Sequence, residues 1–203
     1  MADPGSPRFL GGHVALDFVN TIDWRLDPAR LVDLLPDYAA LLDWSLARGT
    51  LTPAAVARLR ALSRRDPAGA AAAHGEALAV RAAVIAAASA LHGGGALPLA
   101  ELNTRLAALP PMPGLEALPD GRVATGLAGA ALAEPAWPVL WSAATLLAGG
   151  DAGRVQCCAA QGCGWFFLDT SPNRRRLWCD SAGCGNRERV RRAYARRRGT
   201  APA

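Results

Sequence analysis

Lysine is absent from this sequence of 203 residues, so its 22 strongly basic side chains are all arginines. Alanine and glycine are abundant, as in proteins of GC-rich genomes, so the preference for arginine by itself indicates no function. The position of the charge is more informative. Residues 1–153 carry 11 arginines and 14 acidic residues, a net charge of −3, whereas residues 154–203 carry 11 arginines and three acidic residues, a net charge of +8. A mildly acidic body with a strongly basic end favours a polyanionic partner for that end.

Long hydrophobic runs are scarce as well. No apolar run reaches the roughly 18–20 uncharged residues of a membrane-spanning helix. The start, MADPGSPRFLGG, has one arginine and a short mixed apolar stretch, unlike a secretory signal peptide. About half of the residues, 51%, are hydrophobic, which is enough for the core of one medium domain with a small module. We therefore expect a cytoplasmic protein with no membrane partner.

Patterns that indicate catalysis are also missing. The three histidines, His13, His74 and His92, are scattered, and none has a partner at catalytic or ligand spacing. The GGG at 93–95 follows a predicted helix rather than a strand, so it does not match a nucleotide-binding fingerprint. No nucleophile–base arrangement and no specific pair of acids stands out. We expect that the protein is not an enzyme.

Local signals predict helices through most of the first 150 residues. The pairs Thr52-Pro53 and Asp66-Pro67 each combine a helix N-cap with a proline at the first helical position, and Gly49 is a typical helix stop. The predicted helices cover DYAALLDWSLARG, 52–65, 68–91, 98–109 and 134–147. The early segment GGHVALDFVNTID mixes the helical and strand periods, so both remain open there.

A turn-rich stretch and a linker complete the outline. Asp120-Gly121 suits a tight hairpin turn, with residues 122–127 as a strand. The segment AGGDAG is the clearest linker, and it predicts a multihelical domain over 1–150 and a small module over 154–203. The predicted fold class is mainly α (α+β), with a short hairpin in the first domain and a zinc-stapled short β-hairpin and basic helix in the second.

The five cysteines all lie within 28 residues, after 156 residues without one. Cys158 and Cys163 are separated by four residues, as are Cys179 and Cys184, and fifteen residues lie between the pairs. This pattern favours a closed tetrahedral zinc site, with an iron–sulfur cluster as the alternative, and disulfides are disfavoured in a cytosolic chain. Because neighbours in an extended segment point to opposite faces, Cys157 is predicted to be a packing residue or an incidental thiol.

The predicted zinc ion is structural rather than catalytic. A module of about 45 residues with few large apolar groups cannot bury enough surface to fold alone, so it needs a metal staple. Glycines flank the second cysteine of each pair, where the backbone has to bend close to a thiolate. No histidine or carboxylate stands at ligand spacing to leave an open position. We therefore expect one Zn²⁺ per chain.

A basic helix is predicted directly after the last cysteine. Asn186 can cap a helix that begins at Arg187. At 100° per residue, Val190, Ala193 and Tyr194 fall on one narrow face, and this apolar face is predicted to dock on the zinc module. The arginines of the helix would then project outward in two stripes.

A second basic cluster, RRR at 174–176, lies on the loop between the cysteine pairs. The guanidinium group of arginine can form paired hydrogen bonds with a phosphate or with the major-groove edge of guanine. This favours DNA as the partner. Glu188 is predicted to pair with Arg192 at i,i+4. The predicted nucleic-acid contacts are Arg174, Arg175, Arg176, Asn186, Arg187, Arg189, Arg191, Arg192 and Arg196. An RNA partner remains open, because the aromatic residues of WFF at 165–167 could stack on bases, although core packing of the module is the alternative.

Three polar residues interrupt the apolar segment near the start. Asp17, Asn20 and Thr21 either line a pocket for a small-molecule ligand or serve as helix caps and buried hydrogen-bonding groups. The sequence leaves both interpretations open.

The two ends of the chain resemble known families. CGWFFLDTSPNRRRLWCDSAGCGNRERVRR resembles the CGNR zinc finger of bacterial transcription regulators, whose Cys-Gly-Asn-Arg motif stands here from Cys184 to Arg187. The cysteine spacing, the FLDTS segment, the RLWC segment and the basic helix agree with that finger. GGHVALDFVNTID resembles the start of the ABATE domain, which precedes this finger in the family. The resemblance implies a stress-induced transcription regulator with an N-terminal regulatory or ligand-binding domain.

Together these features predict a zinc-dependent DNA-binding transcription regulator. Its N-terminal domain would sense a small-molecule effector or form a homodimer. The alternative is an RNA-binding or small-molecule-binding protein in which the zinc module is only structural. The charge asymmetry separates the two, because a purely structural appendage has no need for it.

Overall fold

Helices dominate the computed structural model, which describes residues 8–118, 121 and 123–198. The α-helices of this part of the chain are α1 (Val14–Val19), α2 (Tyr38–Arg48), α3 (Pro53–Arg65), α4 (Pro67–Gly93), α5 (Leu99–Ala107), α6 (Trp137–Ala148) and α7 (Asn186–Arg197). The strands are β1 (Ile22–Asp23), β2 (Val32–Asp33), β3 (Leu115–Ala117), β4 (Val123–Thr125), β5 (Val155–Cys157) and β6 (Phe166–Leu168). They pair as three antiparallel two-stranded units, β1–β2, β3–β4 and β5–β6. The mainly α prediction with short hairpins is confirmed.

Short capping patterns define three of the predicted helices, α2, α3 and α4. The side chain of Thr52 accepts a hydrogen bond from the backbone N–H of Ala55 at 3.2 Å, and Pro53 opens α3. Asp66 caps α4 in the same way by accepting from Gly69 at 2.8 Å. Helix α2 ends at Gly49, whose φ of 75° lies in the left-handed region that favours glycine. These boundaries match the sequence because each cap involves residues within one turn.

The segment left open between helix and strand contains both. Residues 14–19 form the short helix α1, and Ile22–Asp23 form strand β1. Helix α1 is buried along almost its whole length, with Leu16 and Phe18 both 0% exposed. Burial on all sides explains why its hydrophobic pattern follows no single period.

The predicted hairpin is also present in the described part of the chain. Leu115 pairs with Thr125, and Ala117 pairs with Val123. The second strand begins at Val123, within the predicted range, and Gly121 has the positive φ that a tight turn needs, 79°. Asp120 and Arg122 lie outside the described residues.

Helix α4 is the central element of the helical body. It packs against the five helices α1, α2, α3, α5 and α6 and against strand β5. Its Arg81 is 5% exposed, and the guanidinium donates to Asp33 and to the hydroxyl of Thr21, at 2.8 and 2.9 Å. By length and composition, α4 is long and apolar enough to cross a membrane. The sequence did not predict this. The core helix of a soluble protein can meet the same criterion.

Strand β6 joins the helical body to the cysteine-rich module. Its side chains alternate between two faces, as a strand requires. Phe166 and Leu168 belong to the main hydrophobic core, together with Val155 of β5, whereas Phe167 belongs to a second cluster that contains the four buried cysteines. The backbone N–H of Leu168 also donates to the carbonyl of Gly11 at 2.8 Å. The hairpin β5–β6 is therefore a shared layer of two cores.

Candidate metal centre and arginine surface

The two like-spaced cysteine pairs converge on one point. Cys158 follows strand β5 and Cys163 lies in the turn before β6. Cys179 precedes the helical turn Ser181–Gly185, which contains Cys184 and leads directly into α7. All four residues are buried, and their Sγ atoms lie within 4.8 Å of one another.

The sulfur geometry fits a tetrahedral zinc ion. The Sγ atoms of Cys163 and Cys179 are 3.8 Å apart, those of Cys179 and Cys184 are 3.4 Å apart, and those of Cys184 and Cys163 are 3.6 Å apart. A zinc ion with four Zn–S bonds of about 2.3 Å requires sulfurs about 3.8 Å apart. The donor set has four thiolates and no open position, which is the chemistry of one structural zinc.

The crowded thiols of the four cysteines shift one another's pKa values. Hydrogen bonds with Cys163, Cys179 and Cys184 lower the pKa of Cys158. Hydrogen bonds with Cys158, Cys163 and Cys184 raise the pKa of Cys179 far above that of an ordinary thiol. Four thiolates can occupy this space together only if they share a positive ion, and a divalent soft metal supplies it.

The helical body forms backbone hydrogen bonds with the turn of the first cysteine pair. The sequence did not predict this contact. The backbone N–H of Arg25 donates to the carbonyl of Cys163 at 3.1 Å, and that of Leu26 donates to the carbonyl of Gly162 at 3.2 Å. Gly164 has a φ of 72°, and a Cβ there would lie 2.8 Å from Cγ of Leu26. Glycine is therefore needed both for the turn and for the close approach of the body.

Cys157 is not part of the metal centre. This agrees with the prediction that Cys158 is the ligand and that Cys157 is a packing residue. It is half-buried and packs against the main hydrophobic core, and the four-cysteine group does not include it. Burial raises the pKa of its thiol, so the protonated form is favoured. Cys157 packs against the main core, and the next residue, Cys158, belongs to the metal centre.

Arg187 belongs to the metal centre. Its guanidinium donates to Sγ of Cys184 at 3.1 Å and lies 4.3 Å from the ring centroid of Trp24. A donor to a metal-bound sulfur orients the ligand and balances its charge. Asn186 is the first residue of α7, with helical φ and ψ, and Gly185 precedes it as N-cap. The prediction that Asn186 caps the helix is wrong, because the preceding turn already runs into α7 without a break.

Helix α7 docks on the module through Glu188 rather than through its apolar residues. Glu188 is 4% exposed, and it accepts from the backbone N–H of Gln161 at 3.1 Å and from Arg191 at 2.7 and 2.9 Å. Burial raises the pKa of this carboxyl, but the bonds from Arg191 and Gln161 outweigh burial and leave the pKa lowered. Val190 and Tyr194 are 50% and 60% exposed. The predicted apolar docking face is therefore wrong.

The predicted ion pair of Glu188 is wrong in its partner as well. The carboxylate pairs with Arg191 at i,i+3 rather than with Arg192 at i,i+4. The guanidinium of Arg192 instead lies 6.0 Å from the ring centroid of Trp178. Glu188 thus faces the cysteine turns and binds Arg191, whereas the side chain of Arg192 turns to Trp178.

Exposed arginines of the loop and of α7 lie along one cleft. This cleft has a volume of about 280 Å³, and its walls are Arg175, Arg176, Leu177, Trp178, Ser181, Gly185 and Arg189. The guanidinium of Arg189 also donates to the carbonyl of Ser181 at 3.2 Å. Arg174, Arg192 and Arg196 are exposed close by in sequence. The structure thus brings the loop cluster and the start of the basic helix together.

Two family models match this chain, and together they cover most of it. Residues 12–150 match the ABATE family, described as "Putative stress-induced transcription regulator", and residues 154–197 match the CGNR zinc finger. The chain belongs to the ABATE family. No curated protein matches it. The resemblance seen in the sequence is confirmed, and the four cysteines are the zinc site of a CGNR finger.

One arginine of the CGNR finger is occupied inside the fold. The guanidinium of Arg176 donates to the carbonyls of Trp178 and Cys179 and, at 3.4 Å, to that of Leu168. It also lies 4.2 Å from the ring centroid of Phe167. Arg176 therefore holds the approach to Cys179 in place, and the nucleic-acid contact predicted for it has to compete with these bonds.

The FLDTS segment of the CGNR finger organises the basic loop. Asp169 is 2% exposed, and its carboxylate accepts from the backbone N–H and hydroxyl of Ser171 at 2.9 and 2.6 Å. It also accepts from the backbone N–H of Arg176 at 3.0 Å. The hydroxyl of Ser171 in turn accepts from the N–H of Arg175 at 3.1 Å. These bonds fix the backbone at Arg175 and Arg176 relative to the zinc centre.

Replacing Asp169 by alanine is expected to release this loop. Three donors lose their acceptor, so we expect the free energy of unfolding to fall by about 2–4 kcal/mol. Tryptic cleavage after Arg174 and Arg175, followed by mass spectrometry on zinc-loaded protein, should become at least about tenfold faster. Thr170→Ala changes an exposed neighbour and is the matched control. Equal cleavage rates in the two variants would contradict the proposed role of Asp169.

Asn20 is a structural residue of the interface between the ABATE domain and the finger. Its side-chain amide donates to the carbonyl of Phe166 and its side-chain oxygen accepts from the N–H of Phe166, both at 2.8 Å. Asn20 is 3% exposed. The amide therefore pairs with β6 as another strand would.

The other two polar residues of the segment are also buried and bonded. Asp17 accepts from the N–H of Gly11 and from Arg48, both at 2.8 Å. Thr21 donates to the carbonyl of Phe18 at 2.6 Å and accepts from Arg81. Burial raises the pKa of Asp17 despite these partners. Such contacts support the alternative interpretation, buried hydrogen bonds, and ligand binding by these residues stays a prediction.

Proposed function

We propose that this ABATE protein is a zinc-dependent transcription regulator that binds DNA through its CGNR finger. One observation carries the proposal: the zinc centre fixes the arginine loop and helix α7 along the same cleft. Loop and helix lie 10 or more residues apart in the chain, and the metal site with its Asp169 and Glu188 bonds sets their separation. A rigid array of guanidinium groups can meet a regular array of phosphates.

The charge distribution supports a polyanionic partner. The basic residues are exposed on the finger, whereas the body carries a net charge of −3. The contacts of Arg176 and Arg187 inside the fold reduce the number of free guanidinium groups. About five to six phosphate contacts remain, which corresponds to a log–log dependence of affinity on salt with a slope of about −4.5 to −5.5.

The ABATE domain is proposed to regulate this binding, by sensing a small-molecule effector or by forming a homodimer. A cavity of about 280 Å³ between α4, α5 and α6 supports an effector. Its lining combines apolar side chains such as Val80, Trp137 and Leu140 with the ion pair of Glu76 and Arg105. This volume lies near the lower end of small-molecule sites. We also propose that the protein is cytoplasmic and not an enzyme.

A salt titration tests the proposal. Zinc-loaded, full-length protein is titrated against a 30-bp duplex by fluorescence anisotropy, between about 50 and 300 mM salt. We expect the steep slope given above, and Arg189→Gln should reduce it by about one. Arg64→Gln, an exposed arginine of α3, should leave it unchanged. Absence of binding at low salt would refute the proposal, and a preference for single-stranded RNA would replace DNA by RNA.

A further inference from the structure

Helix α7 exposes apolar side chains between arginines. Val190 and Tyr194, one turn apart, are 50% and 60% exposed. Asn186 is exposed one turn before Val190, and Arg189 and Arg197 are exposed beside them. These residues lie on the side of the helix that faces away from Glu188. We call this surface, made of Asn186, Arg189, Val190, Ala193, Tyr194 and Arg197, the outward face.

The rotation of α7 is fixed, so the outward face cannot turn inward. Glu188 binds the backbone of Gln161 on one edge of the helix. Arg187 binds Sγ of Cys184 and stacks on Trp24 on another edge. A rotation that buried Val190 would break both attachments and expose a carboxylate that is now 96% buried. The exposed apolar residues therefore remain available to a partner other than this chain's own finger.

The chemistry of the outward face matches the major groove of a DNA duplex. A helix of 12 residues is about 18 Å long and fits in that groove. An asparagine amide pairs with adenine, an arginine fork with guanine, and an aliphatic side chain with the methyl group of thymine. Arg175 of the loop lines the same cleft as Arg189 of α7 and can contact an adjacent phosphate. Two apolar side chains between guanidinium groups give a protein partner too little apolar area.

We propose that the outward face of α7 reads base edges in the major groove, with Val190 against a thymine methyl and Asn186 against a neighbouring base. This inference rests on the proposed DNA-binding function and assigns sequence preference to a surface where the apolar residues were expected to be buried. Arginines of the loop then position the helix, while the outward face selects the site.

A methyl-deletion experiment tests the contact of Val190. Sites are first selected from a random duplex library with zinc-loaded, full-length protein, and each thymine of the selected site is then replaced by deoxyuridine. At one position the loss of the methyl group should weaken binding about three- to fivefold. Val190→Ala should bind the thymine site more weakly by a similar factor and lose nothing further with deoxyuridine. Asn186→Ala should relax the preference at a neighbouring base pair by roughly 5- to 150-fold.

The controls separate this inference from the proposed function. Leu115→Ala removes an exposed apolar side chain from β3, where the residue is 74% exposed, and it should leave the base preference unchanged. Zinc content is compared for all variants. If the protein binds DNA but Val190→Ala and Asn186→Ala keep the wild-type base preference, the inference is overturned and the proposed function stands. If Val190→Ala instead dissolves a dimer in sedimentation, the outward face contacts a second copy, and if no duplex binds, both proposals fall.

Discussion

Replacing Cys179 by serine is expected to remove the zinc and to destabilise the helical body together with the finger. Structural zinc binding contributes about 10–16 kcal/mol in small modules, and this is folding free energy. Three thiolates cannot close the tetrahedron, so zinc per chain should fall from one towards zero. The loss reaches the body because Phe166 and Leu168 of β6 belong to the main hydrophobic core. It also reaches the body through the bonds from Arg25 and Leu26 to the first cysteine turn.

The measurements are zinc content by mass spectrometry and thermal unfolding followed by the helical circular dichroism signal. A loss of about 5 kcal/mol in a chain of this size lowers the midpoint by roughly 10–20 °C. Cys157→Ser is the matched control, because it changes the fifth cysteine, which packs on the body, and it should keep one zinc per chain. An unchanged melting temperature of the helices in Cys179→Ser would show that the body does not depend on the finger. Retained zinc would show that the ligand set differs.

The helix starts and the zinc ligands could be predicted from the sequence, because residues close together in the chain determine them. The caps at Thr52 and Asp66 each bind an N–H three residues ahead, so a short window of sequence contains the whole signal. The zinc ligands were predictable for a similar reason. Each pair of cysteines belongs to one turn, and a tetrahedral metal needs two such pairs. The matched spacing, with the alternation of neighbouring side chains in an extended segment, therefore separated Cys158 from Cys157.

The orientation of α7 was not predictable because its decisive contact is distant and polar. A helical wheel ranks faces by hydrophobicity, which favoured burial of Val190 and Tyr194. The structure buries Glu188 instead, since the backbone N–H of Gln161 and the guanidinium of Arg191 satisfy its carboxylate. The sequence does not show that the backbone N–H of Gln161, 27 residues earlier, is placed to donate to the carboxylate of Glu188.

The contribution of arginines to the fold was hidden in the same way. Composition and charge treat all eleven arginines of the C-terminal segment alike. In the structure Arg176 binds backbone carbonyls and Arg187 binds a zinc ligand. Only contacts between distant parts of the chain distinguish an arginine that stabilises the fold of the finger from one that is exposed on its surface.

Replacing Asn20 by alanine is expected to cost about 2–6 kcal/mol of unfolding free energy, because it leaves the buried N–H and carbonyl of Phe166 without partners. Strand β6 is the layer that the two cores share, so zinc should also pass to a chelator faster than in the wild type. Urea unfolding and the rate of zinc transfer measure the two effects. Asn103→Ala, an exposed asparagine on α5, is the control and should change neither. If Asn20→Ala lowered stability without accelerating zinc transfer, the amide would support the body alone, and the coupling between body and metal centre would have to run through the contacts of Arg25 and Leu26.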